Sequence, residues 1–261
     1  MLELIDKGSA TEVHPVPLLF VHGGWHGAWC WDEHFLDFFA DRGFRAVAVS
    51  LRGHGNSATT KALNACSIRD YADDVHTVAD RLGGSPVVVG HSMGGYVVQK
   101  YLENNEVPAG VLMASAPPQG STSASLRMMR RHPWAVLKTN TFGETHDVVR
   151  TPRLARAHLF CRHTPQDIVD SCAERLQPES ILAMKQMLSK RRIRPDRVLT
   201  PLLVLGAAED GAFTSDEVAA TAGAYHTQAD FISGMGHNMM LEPGWRAVAE
   251  KIDSWLTGRG L

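Results

Sequence analysis

The sequence predicts an α/β fold: a mostly parallel central sheet flanked by helices, with a helical cap inserted before one of the late strands. Two observations predict it. Short apolar runs bounded by Gly and Pro alternate with helix-like segments, the order in which β-α units build a parallel sheet. Those runs are apolar on successive residues, which suits strands covered on both faces.

Taken in order, strands are predicted at Pro17–His22, Phe44–Ser50, Pro86–Gly90, Val111–Ala114 and Pro201–Gly206, with a less apolar one at Gln228–Ile232. Helices are predicted at Asp32–Arg42 before Gly43, at Ile68–Leu82 before Gly83-Gly84, and at Tyr96–Asn104 after the Gly94-Gly95 turn. The last spans Pro243–Leu256, with proline at its start. No internal repeat or low-complexity segment is visible.

Residues 119–195 read differently. This stretch has no convincing strand, and Pro133, Pro152, Pro165 and Pro178 punctuate its helix-like segments. It is expected to be a cap over the sheet's C-terminal edge, on a core formed by residues 1–118 and 196–261. The cap holds 14 Lys and Arg against 6 Asp and Glu, a net +8, while the rest of the chain carries −10. These cations either coat solvated helix faces or draw an anionic substrate or surface toward the site.

The bulk properties exclude several classes. At 261 residues, 44% hydrophobic and 21% charged, the chain is long enough for a large core plus an insertion. A net charge of −2 gives no global pull toward nucleic acid or membrane. No apolar run approaches the ~20 residues needed to cross a bilayer, and Met1–Lys7 lacks the pattern of a secretory signal. The four cysteines are scattered, which fits free thiols in a reducing compartment. A cytoplasmic protein is expected.

The strongest local signal is Gly90-His-Ser-Met-Gly94, between Val87-Val-Val and Gly95-Tyr-Val-Val. A G-x-S-x-G between strand and helix holds the serine in a strained turn with its hydroxyl raised above the sheet. The helix start that follows directs N–H groups and its positive dipole end toward charge developing there. Ser92 is the candidate nucleophile. A serine hydroxyl is weak at neutral pH, so a base has to take its proton. Among 13 histidines, His237 lies in Gly234-Met-Gly-His-Asn238, after the last predicted strand, on a loop able to reach over the sheet edge. A carboxylate must then fix the imidazole's tautomer. Asp210, in Gly206-Ala-Ala-Glu-Asp210 after the fifth predicted strand, is preferred to its neighbour Glu209 because of its offset from Gly206 and its shorter side chain.

Acyl transfer also needs preorganised donors for an oxyanion. The backbone N–H groups of Met93 and of Gly24, in His22-Gly-Gly-Trp25, are the candidates, with Trp25 as the alternative to Gly24. Trp25, Trp29, Trp134, Phe142, Phe160 and Met184 are expected in the substrate pocket, together with Met128 and Met187, although such residues serve equally well as cap core. His22 and His26 have H-x3-H spacing, but with no Glu between them and no partner motif neither metal nor cofactor is expected.

With these pieces assembled, the chain resembles the α/β-hydrolase superfamily over nearly its whole length. The resemblance is carried by His22-Gly-Gly, Arg52-Gly-His-Gly-Asn-Ser57, Gly90-His-Ser-Met-Gly-Gly95, Gly206-Ala-Ala-Glu-Asp210 and Gly236-His237. The order Ser92, Asp210, His237 is the order of that superfamily's triads. In Arg52-Gly-His-Gly-x-Ser, Leu51 stands where members commonly have Asp, a departure that concerns turn packing. Gly27-Ala-Trp-Cys-Trp31 is similar to the subgroup of plant methyl-ester esterases and hydroxynitrile lyases. The portion before Pro17 is short for the pair of strands that opens many members. Serine at position 92 sets the chain apart from the dehalogenases and epoxide hydrolases of this fold, which carry Asp there.

The resemblance implies a serine hydrolase acting on a small to medium ester through an acyl-serine. Hydroxynitrile lyase, cofactor-free haloperoxidase or acyltransferase chemistry on the same triad is the alternative, as is a ligand-sensing receptor. The expected partner is a small-molecule ester, anionic if the cap's charge reaches it; oligomeric state is not readable.

Overall fold

The computed structural model describes residues 1–134, 145–189 and 192–261. A seven-stranded sheet organises them, in the order β1-β3-β2-β4-β5-β6-β7. Its strands are β1 (Leu4–Lys7), β2 (Leu18–Val21), β3 (Ala46–Val49), β4 (Val87–His91), β5 (Gly110–Met113), β6 (Leu202–Ala207) and β7 (Ala229–Ile232). All neighbours are parallel except β1, which runs antiparallel to β3. One antiparallel edge strand stands there, in keeping with a portion before Pro17 too short for a pair.

The uninterrupted apolar runs have the expected cause. Along β2, Leu18 and Phe20 pack into the core on one face of the sheet, and Leu19 and Val21 into the core on the other. Val87 and Val89 of β4 split from Val88 in the same way, as do Leu203 and Leu205 of β6 from Val204. Side chains alternate across a strand, so a sheet with helices on both sides needs apolar residues at every position.

Helices α1 (Trp29–Asp32), α2 (Phe35–Ala40) and α10 (Trp245–Thr257) cover one face, where Trp31, Phe35, Phe39, Val248 and Ile252 are fully buried. Helices α3 (Ile68–Arg81), α4 (Met93–Leu102) and α9 (Ser215–Ala224) cover the other. A capping box starts α3, with Ser67 and Asp70 satisfying each other's backbone N–H groups.

Three helix boundaries differ from the prediction. The expected helix Asp32–Arg42 is two short ones, broken at His34, whose backbone is non-helical. Helix α4 begins at Met93 rather than Tyr96, so Gly94 and Gly95 lie inside its first turn. A Cβ at Gly94 would collide with the carbonyl oxygens of Val21 and His22, and small residues there let the helix start approach β2. Pro243 precedes α10, whose N-cap is Gly244.

Between β5 and β6 lie α5 (Thr122–Arg131), α6 (Pro152–Leu159), α7 (Gln166–Arg175) and α8 (Ile181–Leu188), with no strand among the described residues. No described helix is long and apolar enough to cross a membrane.

Candidate active site

Sheet register brings the functional loops to one edge. Val21 pairs with Gly90, Gly90 with Leu112, and Leu112 with Val204, so β2, β4, β5 and β6 end together. This is the carboxyl edge, where α/β sheets present their loops for ligands. Residues 22–25, 91–93 and 208–213 leave from it, and 233–238 follow β7.

Ser92 occupies the turn between β4 and α4 at φ +53° and ψ −117°, a conformation that side chains rarely adopt. Neighbours fix it there: its N–H donates to the Met113 carbonyl at 3.0 Å, and its own carbonyl accepts from Ala116 at 3.1 Å. The hydroxyl is thereby aimed at the loop after β7. Its Oγ lies 2.8 Å from His237 Nε2, and His237 Nδ1 lies 2.8 Å from Asp210 Oδ2. Both the imidazole and the carboxylate are almost wholly buried.

Asp210 is held in turn. Its Oδ1 accepts from the backbone N–H groups of Ala212 at 2.7 Å and Phe213 at 3.0 Å, leaving Oδ2 for the imidazole. Glu209, the rival carboxylate, faces solvent. With Nδ1–H donated to Asp210, His237 presents the lone pair of Nε2 to Ser92. The arrangement can remove a proton from the hydroxyl and hold the resulting imidazolium beside a carboxylate.

A cavity of about 100 Å³ opens beside Ser92 and His237. Gly24 and Met93 both line it, and so do Trp25, Met128, Met184 and Met187. As the first residue of α4, Met93 has no intrahelical acceptor for its N–H. A second apolar cavity of about 290 Å³ shares Trp25, Met128 and Met184 with the first.

Other expected pocket residues lie elsewhere. Trp29 lines a separate cleft, stacked against His26 and capped by the Arg175 guanidinium. Phe160 is 4% exposed and packs in the core beneath α6, where the chain leaves the helix. Trp134 is 81% exposed and lines neither cavity. Phe142 is outside the described residues.

The structure adds supporting roles that sequence reasoning did not assign. His91, inside the G-x-S-x-G itself, donates from Nε2 to the His237 carbonyl at 2.9 Å. His26 donates from Nδ1 to the Gly24 carbonyl at 2.8 Å, and its Nε2 meets the Asn238 side-chain amide at 3.2 Å. One imidazole thus ties the Gly24 loop to the residue next to His237. His22 accepts the Leu51 N–H at Nε2 and donates from Nδ1 to Gly23. Burial lowers the pKa of His22 to about 3 and that of His26 to about 4, and pushes His91 well below the ordinary histidine value. All three are neutral scaffolding with both His22 and His26 nitrogens occupied, and no group of three or more His, Cys, Asp or Glu suited to a metal occurs among the described residues.

Glu242 is a buried carboxylate that accepts from the N–H groups of Gly236 at 3.0 Å and Cys161 at 2.6 Å, joining the His237 loop to the segment after α6. Beneath the Gly24 loop, His54 Nε2 lies 3.1 Å from Glu179 Oε2, with both residues fully buried. Tyr71 and the Ser180 N–H donate to the other carboxylate oxygen at 2.7 and 2.6 Å. Burial works against both charges, but each partner outweighs it: His54 is raised and Glu179 lowered. Position inside the pentapeptide could have flagged His91, and adjacency to His237 could have flagged Asn238. Nothing in the sequence links His54 to Glu179, 125 positions away.

Comparison with known proteins completes the description. The model of the "Alpha/beta hydrolase family" matches residues 18–251. The chain belongs to the alpha/beta hydrolase family. Within it, this alpha/beta hydrolase is 42% identical over 108 residues to a bifunctional esterase/perhydrolase of Acinetobacter calcoaceticus, a match covering 39% of this chain and 38% of that one. The chain thus spans about two-fifths of the length of the first curated relatives it matches. A pFDCC methylesterase of Arabidopsis thaliana is 26% identical over 223 residues, covering 80% of this chain and 81% of the relative. Among solved structures, a thermophilic esterase from Thermogutta terrifontis superposes with a TM-score of 0.77 at 22% identity, covering 100% of this chain and 94% of that one. A bromoperoxidase from Bacillus anthracis does so with a TM-score of 0.74 at 19% identity, covering 98% and 94%. At these identities the structural likeness concerns the fold alone.

Proposed function

We propose that this alpha/beta hydrolase cleaves small to medium carboxylic esters through an acyl-Ser92 intermediate. The observation that carries the reading is the unbroken hydrogen-bond chain Ser92–His237–Asp210, with both links at 2.8 Å, on the edge of an apolar cavity. In the first half-reaction Ser92 Oγ attacks the ester carbonyl while its proton passes to His237 Nε2. Asp210 holds the imidazolium, and the N–H groups of Gly24 and Met93 receive the carbonyl oxygen as it becomes an oxyanion. Collapse breaks the bond to the alcohol, which leaves with the proton from His237. Water then attacks the acyl-serine, giving its proton to His237 and returning the hydroxyl to Ser92.

We assign residues 119–195 as the cap on a core of 1–118 and 196–261. The cap's positive charge is read as structural. Arg127 pairs with Glu217, Arg131 donates to the Gly211 carbonyl, and Arg156 donates to the carbonyls of Cys161, Arg162 and Thr164. Among described residues none of these cations lines the Ser92 cavity, whose exposed wall is mostly apolar. Lys185 lines the adjoining cavity, so an uncharged group is favoured next to Ser92 itself.

The esterase/perhydrolase relative favours a second activity on the same intermediate, in which hydrogen peroxide replaces water in deacylation and a peracid is released. A fluorophosphonate probe and a panel of ester, lactone, amide and thioester substrates, with Ser92→Ala as the blank, test the proposal. Labelling at Ser92 and turnover of esters are expected. A folded protein that neither labels nor hydrolyses any ester would refute the reading.

A further inference from the structure

The wall of the Ser92 cavity is apolar almost throughout, formed by Met128, Leu159, Met184, Met187 and Phe213. His158 stands out in that wall. It lies in the last turn of α6, a helix capped by the Thr151 hydroxyl, with Ala155, His158 and Leu159 on its buried side. The residue is 2% exposed, and its buried Nε2 meets no hydrogen-bond partner among the described residues. On the wall of a cavity open to a ligand, such a nitrogen can be paired by a group that enters from outside the protein. Burial first, then the nearby His132 and Arg131, lowers the imidazole's pKa to about 4, so the ring is neutral near pH 7, with one donor and one acceptor nitrogen. The His132 ring packs against it edge-on at 4.8 Å.

Its side of the cavity can be assigned. The carbonyl of Leu159, the next residue, accepts from the N–H of Asn238 at 2.7 Å, so the end of α6 rests on the His237 loop. His237 must protonate the departing oxygen, which places the alcohol half of the ester on that side.

We propose that His158 determines specificity by hydrogen-bonding an oxygen function, a hydroxyl or a carbonyl, carried on the alcohol half of the substrate. The proposal rests on the esterase reading and narrows it: the natural substrate is an ester of an oxygenated alcohol rather than a plain alkyl ester. A site that pairs with such an oxygen discriminates against the isosteric hydrocarbon, because binding the latter leaves the nitrogen buried and unpaired.

The experiment compares butyl butanoate with 3-hydroxypropyl butanoate, and isobutyl butanoate with 2-oxopropyl butanoate. Each pair matches in size and differs by the oxygen. The full-length protein is assayed beside His158→Phe and His158→Leu, which remove the nitrogens, and His158→Gln, which keeps a donor and an acceptor. Fluorophosphonate labelling of Ser92 identifies the folded variants, and either apolar variant suffices if the other does not fold. For at least one pair, the ratio of kcat/KM for the oxygenated to the plain ester is expected to fall about tenfold in the apolar variants. Most of the loss should appear in KM and fall more heavily on the oxygenated ester than on the plain one, with His158→Gln restoring part of the ratio. An unchanged ratio for both pairs, or an equal fall for both members of each pair, would overturn the proposal and leave the esterase reading intact. Absence of turnover for every ester by the wild type would remove the esterase reading, and this assignment with it.

Discussion

Two kinds of wall meet at Ser92. The sheet-edge loops are held to one another by buried hydrogen bonds at every turn: His91 to the His237 backbone, His26 to Gly24 and Asn238, and Asp210 to the backbone N–H groups after it. The helices between β5 and β6 are fastened to those loops from outside the sheet, by Arg127 and Arg131 at one margin, by the Gln177 N–H and the Thr145 carbonyl to Trp25, and by the Leu159 carbonyl to Asn238. Topology dictates the first wall, since parallel strands in register have to end at one edge. Side-chain packing and these cross-links, not strand register, set the second. Chemistry that depends on sub-ångström placement sits on the first, and the residues that shape the cavity's apolar volume sit largely on the second.

The largest expected effect breaks the first wall at its carboxylate. Asp210→Asn keeps the shape but reverses the hydrogen bond to His237 Nδ1, which selects the wrong tautomer; a loss in kcat of about 10⁴-fold is expected. Glu209→Gln, one residue away and solvent-facing, is expected to stay within twofold. Steady-state assays of the two variants check the contrast, and comparable losses in both would mean that the acid has been misassigned.

This division also explains what was legible in the sequence. Five of the parallel strands, β2 to β6, could be read from their apolar runs, because a sheet covered on both faces leaves a continuous pattern; β7, at the edge and partly exposed, left a weaker one. Ser92, Asp210 and His237 could be read because each follows a strand on a short loop, so register alone carries it to the edge. The antiparallel β1 could not: Leu4-Ile-Asp-Lys7 is half-exposed and mixed in composition. The pocket was read poorly for a related reason. An amphipathic helix announces that it buries one face without saying against what, and so Trp29 and Phe160 went to other packing surfaces while Met184 reached the cavity. The supporting histidines were obscured because burial and pairing, not spacing, define them.

A smaller effect separates the two uses of side chains between β5 and β6. Met184→Ala enlarges the cavity and is expected to lower kcat/KM on a medium-chain ester about tenfold. Trp134→Ala, at an exposed position, is expected to change it less than twofold. Kinetics on a series of acyl lengths measure both. Equal losses would mean that Trp134 reaches the substrate.

The smallest effect is one of stability. His22, His26, His91 and His158 have folded-state pKa values below the ordinary value near 6.5, so the unfolded chain takes up protons that the folded one does not. Their contribution is fully present above that pH and is lost as pH falls toward 4, by about 1.4 kcal/mol per pH unit for each histidine. His54 has the opposite sign: its pKa is raised beside Glu179, so its contribution is present at lower pH and is lost as pH rises through the raised value. Denaturant unfolding of His26→Gln between pH 4.5 and 7.5 is expected to show a slope shallower by one group. An unchanged slope would mean that His26 is not held neutral.

The most direct test of the account is intact-mass and peptide analysis after rapid quenching during turnover of an activated ester. The account predicts one acyl group per chain, on the peptide containing Ser92, with both adduct and turnover abolished in Ser92→Ala. Turnover undiminished in that variant, or an acyl group found on another residue, would contradict it.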